Sequence, residues 1–251
     1  ATHAIEFQAV QVEINQTGQG FEAAARSARQ EIFNAYEDGT AIILGHHMDD
    51  QVETVFFRVL RGTGLKGLTG MQRHLTSKGK DLIRPLLNIS KDEILKYASI
   101  NKLEFIEDKS NQDNTYSRNF LRNKVIPTIM DRWPGAKKNT ARMANLLSKQ
   151  SALYHKYLSE KLEIVCDEDG LLLDKLAKLD YFERAELIRI WLDQHSFASP
   201  NESQMKELEK SFFQSRKDAN PTIKFYRDDA QKTGVILSKT NNYLIAEELN
   251  E

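Results

Sequence analysis

The sequence predicts an α/β fold: part of a parallel sheet covered by helices, followed by a smaller, mainly helical domain. Three observations carry this. In the first half, short apolar runs alternate with amphipathic stretches, the order strand, helix, strand, helix that builds parallel sheets. In the second half a long apolar stripe at helical spacing takes over. The 251 residues, 40% of them hydrophobic, suffice for one or two buried cores.

Taken in order, "VQVEI" (10–14) alternates apolar and polar residues and reads as a strand. "GFEAAARSARQEIFNAY" is rich in Ala and Arg and reads as a helix ending near Gly39. "AIILG" reads as a short buried strand. After it, Val52, Val55, Phe56, Val59 and Leu60 recur at helical spacing until Gly62. "RGTGLKGLTG" places Gly62, Gly64, Gly67 and Gly70 in one loop with a permissive backbone, the composition of a mobile lid. "DLIRPLL" and "LEFIED" read as short strands. Between them, "SKDEILKYASIN" opens with a capping box, Ser90 to Glu93, and reads as a helix. "TYSRNFLRNKVI" reads as helical up to Pro127.

"RWPG" (132–135) marks the expected boundary, giving domains 1–132 and 133–251. Beyond it Met143, Leu146, Leu147, Leu153, Tyr154, Tyr157, Leu158, Leu162 and Val165 trace one stripe of a long helix, which "DEDG" turns. Helices follow at "YFERAELIRIWLDQH" and "ESQMKELEKSFF", then short strands at "TIKFY", "GVILS" and "NYLIA".

Charge and composition exclude several function classes. Net charge is −1, so no polyanion partner follows from it, and nucleic-acid contact would need a local patch. One cysteine, Cys166, excludes an intramolecular disulfide and a multi-cysteine zinc site, and fits a reducing compartment. No apolar run approaches a membrane span and no signal peptide is visible.

The stretch "HHMDDQVET" (46–54) concentrates acid and base at the carboxyl end of an expected strand, where open α/β sheets bind ligands. Asp49 and Glu53 share a helix face, and Asp50 neighbours Glu53. Clustered carboxylates repel unless a cation or proton lies between them, and Mg²⁺ suits a few carboxylates plus phosphates. The bland alternative is helix capping, with Asp50 and Glu53 as a box and acids favoured by the helix dipole. That alternative leaves His46 and His47 unexplained. A zinc site would draw on His3, His74, His155 and His195, which are scattered.

A second constellation is "EDKSNQDNTYSRNFLRNKVIP". Arg118 and Arg122, four apart, point their forks one way, as phosphate binding requires. From Ser117 to Arg142 there are seven basic residues, Arg118, Arg122, Lys124, Arg132, Lys137, Lys138 and Arg142, against one acid, Asp131. A solvated face explains such a run, but Trp133 within it tilts the reading toward RNA contact. In the first helix Glu22, Arg26 and Arg29 share a face, which ion pairing alone would explain.

In order and spacing, "FEAAARSAR", "LGHHMDDQVETVFFRVLRGTGLKGLTGM", "IRPLL", "DKSNQDNTYSRNFLRNKVIP" and "TARMANLLSKQ" resemble the bacterial tRNA(Ile)-lysidine synthetase family across nearly the whole chain. The resemblance implies a cytoplasmic ligase with a pyrophosphatase-loop, adenine nucleotide alpha hydrolase-like domain. Such an enzyme uses ATP to activate the wobble cytidine of a CAU-anticodon tRNA(Ile), and L-lysine then replaces the 2-oxo group to give lysidine. It also implies that the helical domain binds tRNA. Carried over by position, it makes Asp49, Asp50 and Glu53 catalytic, with Mg²⁺ at Asp49 and Asp50. His46, His47, Arg26, Arg118, Asn119 and Arg122 become positions for ATP or other substrates; Lys124, Arg132, Lys137, Lys138 and Arg142 are expected to meet tRNA on the strength of the basic run itself. Gln30 stands where the family usually has an aromatic residue.

One departure is large. The family's ATP loop, SGGxDS, does not occur in these 251 residues. The chain therefore reads as the middle of such an enzyme, and alone it is expected to be inactive. Two rivals follow: another pyrophosphatase-loop tRNA-modifying enzyme, or a non-catalytic RNA-binding module. Thiolases of the first kind use paired cysteines, and the lone Cys166 argues against them.

Overall fold

The computed structural model describes residues 7–12, 21–77, 79–106, 108–216, 219–226 and 233–249. These divide into two compact units, parting between Lys149 and Gln150. Residues 133–149, assigned by sequence to the second domain, cluster with the first. The division falls inside one uninterrupted helix, where no change of composition could announce it.

The first unit begins with α1 (Phe21–Asn34), then β1 (Ala41–Ile43) and α2 (Met48–Leu60). A single turn, α3 (Leu65–Leu68), and a hairpin of β2 (His74–Ser77) and β3 (Lys80–Ile83) follow. Then come α4 (Lys91–Ile100), α5 (Ser117–Phe120), α6 (Ile126–Arg132) and the start of α7 (Ala136–Val165). The sheet order is β1-β3-β2. β1 runs parallel to β3, with Ile42 opposite Leu82, and β2 is antiparallel to β3. The β2 strand escaped the sequence reading because "HLTS" is short and exposed. In its hairpin Ser77 pairs with Lys80, and Gly79 takes the left-handed turn position at φ +73°.

Several expectations change. The "VQVEI" strand lies partly outside the described residues, and 10–12 carry no strand pairing. β1 is not buried: it is an edge strand, and Ile43 is 71% exposed. Residues 103–106 of "LEFIED" form no strand, because nothing among the described residues offers them a ladder of backbone partners. The helix at 117 does not stop at Pro127. A π-turn, Leu121–Val125, precedes it, and Pro127 enters α6 in the first turn, where its missing N–H costs least.

The glycine loop is also more ordered than its composition suggests. Gln51 grips Met71 through both ends of its amide, donating to the Met71 carbonyl (3.0 Å) and accepting from its N–H (2.7 Å). Arg58 Nη1 donates to the carbonyls of Gly67 (3.0 Å) and Gly70 (2.9 Å). The Gly67–Met71 end is pinned to α2, which argues against a lid swinging freely from that end.

In the second unit, from residue 150, the remainder of α7 joins β4 (Cys166–Asp167), β5 (Gly170–Leu172), α8 (Leu173–Leu176), α9 (Tyr181–Gln194), α10 (Glu202–Phe213), β6 (Thr222–Phe225), β7 (Val235–Thr240) and β8 (Tyr243–Glu248). The strands form one antiparallel sheet, ordered β4-β5-β8-β7-β6. Its core unites Leu171, Leu237 and Leu244 from strands with Leu187, Ile188, Leu192 and Leu208 from α9 and α10. The strands at the chain's end are therefore integral to this core. Of the long stripe on α7, only Leu158, Leu162 and Val165 are buried; Met143, Leu146, Leu153, Tyr154 and Tyr157 are exposed. Among the described residues no helix is long and apolar enough to cross a membrane.

Candidate functional site

His46 and His47 lie just past the carboxyl end of β1, and His47 is the N-cap of α2, with extended backbone (φ −121°, ψ −178°). The capping partner is Asp50, whose Oδ2 accepts from the His47 N–H at 3.0 Å. The box thus joins His47 to Asp50, not Asp50 to Glu53. Glu53 is 2% exposed.

Burying a carboxylate is costly unless it is paired. The partners come from sixty-odd residues downstream. Arg118 Nε donates to Glu53 Oε2 at 2.9 Å, and Arg122 forks onto both oxygens, at 2.6 Å (Nε to Oε1) and 2.9 Å (Nη2 to Oε2). Asp50 Oδ1 lies 3.4 and 3.5 Å from the Nη2 atoms of Arg118 and Arg122. Bidentate pairs of this kind fix both charge and orientation. Arg118 lies in α5 and Arg122 in the π-turn that continues it, four residues on, and both reach α2. The hydrogen bonds that Arg122 donates to Glu53 raise its pKa above the ordinary value, against the effect of burial.

Asp49 serves a different helix. Its Oδ2 accepts from the Lys91 N–H at 2.8 Å, in the first turn of α4, and its Oδ1 lies 2.5 Å from Lys137 Nζ. Burial alone would raise the Asp49 pKa; Lys137 and the Lys91 N–H overcome it and hold the group below its ordinary value. The α4 N-terminus is otherwise capped as its sequence predicts, by Ser90 and Glu93. The expectation that clustered carboxylates here need a cation is met by protein cations. Every oxygen of Asp49 and Asp50 is engaged, so as arranged the pair does not fit Mg²⁺, and among the described residues no group of three or more His, Cys, Asp or Glu side chains is placed to hold a metal.

His46 is half-buried, and burial lowers its pKa; Arg84, Arg118 and Arg29 push the same way and Asp50 opposes them. Its Nδ1, the His47 Nδ1 and the Arg84 Nε are buried without a hydrogen-bond partner. Arg26 is exposed on α1. It stands near enough to Arg58 and Arg84 to add to the lowering that burial imposes on both. Among the described residues Arg58 and Arg84 donate to backbone carbonyls, and with Arg26 they gather positive charge at this corner.

Asn119 is an internal brace: its amide donates to the carbonyls of Ser110 (2.9 Å) and Asp113 (2.8 Å). Asn123 does the same for Asn111 and Asn114. These asparagines shape the loop before α5 so that Asn111 Oδ1 meets Arg122 Nη1 at 3.2 Å. The basic run does not form one solvated face. Arg118, Arg122 and Lys137 turn inward onto carboxylates, while Lys124, Arg132, Lys138 and Arg142 are exposed, beside Trp133 at 62%.

A cavity of about 520 Å³ opens beside these groups, lined by His47, Asp49, Glu53, Lys91, Asp92, Asn111, Arg122, Asp131 and Lys137, with an apolar wall of Val52, Ile126, Pro127 and Met130. Its size is that of a small-ligand pocket. The sequence reading missed Lys91, Asn111 and the inward role of Lys137. Lys91 acts through its backbone, and Lys137 looks like any other member of a basic run.

A PP-loop domain family model matches residues 2–129. The chain is 36% identical over 230 residues to the tRNA(Ile)-lysidine synthase of Photorhabdus laumondii, covering 91% of this chain and 52% of that one. It is 37% identical over 221 residues to that of Yersinia pseudotuberculosis (87% and 49%) and 34% identical over 218 residues to that of Vibrio parahaemolyticus (86% and 50%). The chain spans about half the length of these curated relatives. With its matched segment holding β1, α2 and both arginine-bearing turns of the site, the chain belongs to the PP-loop domain family.

Proposed function

We propose that this chain is the core of a cytoplasmic tRNA(Ile)-lysidine synthase, a ligase that converts the wobble cytidine of CAU-anticodon tRNA(Ile) to lysidine with ATP and L-lysine. The observation that carries the reading is the convergence of two distant motifs. "HHMDDQVE" and "SRNFLR" meet through Asp50, Glu53, Arg118 and Arg122 at the carboxyl end of a parallel strand, beside a cavity.

The reaction has two steps. The cytidine 2-oxygen attacks the α-phosphorus of ATP and pyrophosphate leaves. The ε-amine of lysine then attacks C2, a proton is lost, and AMP leaves with the former 2-oxygen. Phosphate charge must be stabilised in the first step. Arg118 and Arg122 are held in fixed orientation for this by Glu53 and Asp50, and the cationic corner of Arg26, Arg58 and Arg84 beside His46 suits a polyphosphate. In the second step the ammonium, with an ordinary pKa of about 10.4, must be held and deprotonated. Asp49 already binds an alkylammonium, and its lowered pKa keeps it anionic. Mg²⁺ travelling on ATP phosphates would supply further charge stabilisation. The exposed Lys124, Arg132, Lys138 and Arg142 would meet tRNA phosphates.

The test is anticodon mass analysis of tRNA(Ile) after incubation with the full-length gene product, ATP and L-lysine. Lysidine is the expected product; an unmodified or thiolated cytidine under these conditions overturns the reading.

A further inference from the structure

Lys137 is the one member of the basic run whose ammonium reaches a carboxylate on α2: Nζ lies 2.5 Å from Asp49 Oδ1. Its side chain is 28% exposed and that of Asp49 13%, so the contact is shielded from water. Both residues line the 520 Å³ cavity. Around them the lining has the three parts that a dibasic amino acid needs. Asp49 takes an ammonium, Val52, Ile126 and Met130 offer an apolar wall to an aliphatic stem, and Lys91 and Arg122, among the acids Asp92 and Asp131, are the lining's cations besides Lys137 for a carboxylate. The group now on Asp49 is itself the head of a lysine side chain.

We propose that Lys137 is an internal occupant of the amino-acid subsite, a tethered alkylammonium that a free primary ammonium ligand must displace from Asp49. This rests on the lysidine-synthase reading for the identity of the ligand as L-lysine, but the competition itself does not. The tether gives Lys137 a high effective concentration at Asp49, so only a ligand making further contacts along the cavity displaces it. That penalises small amines, which offer the ammonium alone, and so favours an amino acid. Lys137 thereby sets both the affinity and the selectivity of the subsite, and it keeps Asp49 charged and desolvation offset while the subsite holds no substrate.

The experiment is isothermal titration of the 251-residue chain with L-lysine, L-ornithine and n-butylammonium, using wild type, Lys137→Met, Lys137→Arg and Asp49→Asn, with thermal melts confirming that each variant is folded. Lys137→Met keeps the stem and removes the charge. It is expected to bind at least one of the three ammonium compounds about two- to tenfold more tightly than wild type, the range open to a partly shielded ion pair. Lys137→Arg, which retains a cation, should stay near wild type, and Asp49→Asn should lose the binding. No gain in Lys137→Met for any of the three compounds, in a folded protein, overturns the proposal. A gain for ornithine or butylammonium but not for L-lysine supports the internal occupant and instead overturns L-lysine as the substrate.

Discussion

Arg122 and Glu53 face each other as a fork on a carboxylate, with contacts of 2.6 and 2.9 Å, and Glu53 is almost wholly buried. The same carboxylate also takes Arg118. Glu53 is therefore the counter-ion of two guanidiniums, and the arginines owe their orientation to it. The sequence groups Asp49, Asp50 and Glu53 as catalytic acids, with metal expected at Asp49 and Asp50. The structure separates them: Glu53 holds the arginines, Asp50 caps α2 and shares them, and Asp49 ties α4 and Lys137.

The first prediction follows from that separation. Glu53→Ala would leave two partly buried guanidiniums without their carboxylate and should destabilise the first unit by roughly 3–5 kcal/mol. Denaturant unfolding checks it. A loss of activity in the full-length enzyme with an unchanged unfolding midpoint would make Glu53 a chemical group and refute its structural role.

The second concerns acid. The Asp49 pKa is lowered from its ordinary 3.8, so its contribution is present above that value and is lost as pH falls through the folded pKa. The His46 pKa is lowered from 6.5, so the unfolded chain takes up that proton first and stability declines as pH falls below about 6.5 until the folded pKa is passed. Melting temperatures from pH 8 to 3 should show both limbs. His46→Gln should flatten the upper limb only and Asp49→Asn the lower only; if either substitution leaves its own limb intact, the corresponding assignment is wrong.

The third tests the pinned loop. Gly70 has φ +65°, and a Cβ there would lie 2.7 Å from the Gln51 amide that holds Met71. Gly70→Ala should cost at least about 1–2 kcal/mol. Gly45→Ala, with nothing within 4 Å of its Cβ, should stay within about 0.5 kcal/mol of wild type. Equal melting temperatures for the two variants would mean that the loop is not held as described.

The fourth divides the two adjacent lysines. Lys138 is exposed, so Lys138→Ala should make the salt dependence of tRNA binding shallower by about 0.7–0.9 in log–log slope. Lys137→Ala should leave that slope unchanged, because its ammonium is engaged by Asp49. Affinities measured across a salt series decide between this and a shared phosphate-binding role.

Much of this protein was legible along the chain. The α4 capping box, the helical spacing of α2, α9 and α10 and the strands at "TIKFY" and "GVILS" are local patterns, written within a few residues of where they act. The charged residues near 46–53 and 118–122 stand out along the chain for the same reason. What only the tertiary structure decided is pairing at a distance. Whether "AIILG" is central or at an edge depends on which strand lies beside it. Whether "LEFIED" is a strand depends on whether a partner exists, and whether Asn119 binds a ligand depends on the loop carbonyls that take its amide. Likewise no local pattern tells Lys137 from Lys138. Consecutive helical residues point about 100° apart, and only the position of Asp49 makes one of them part of the site.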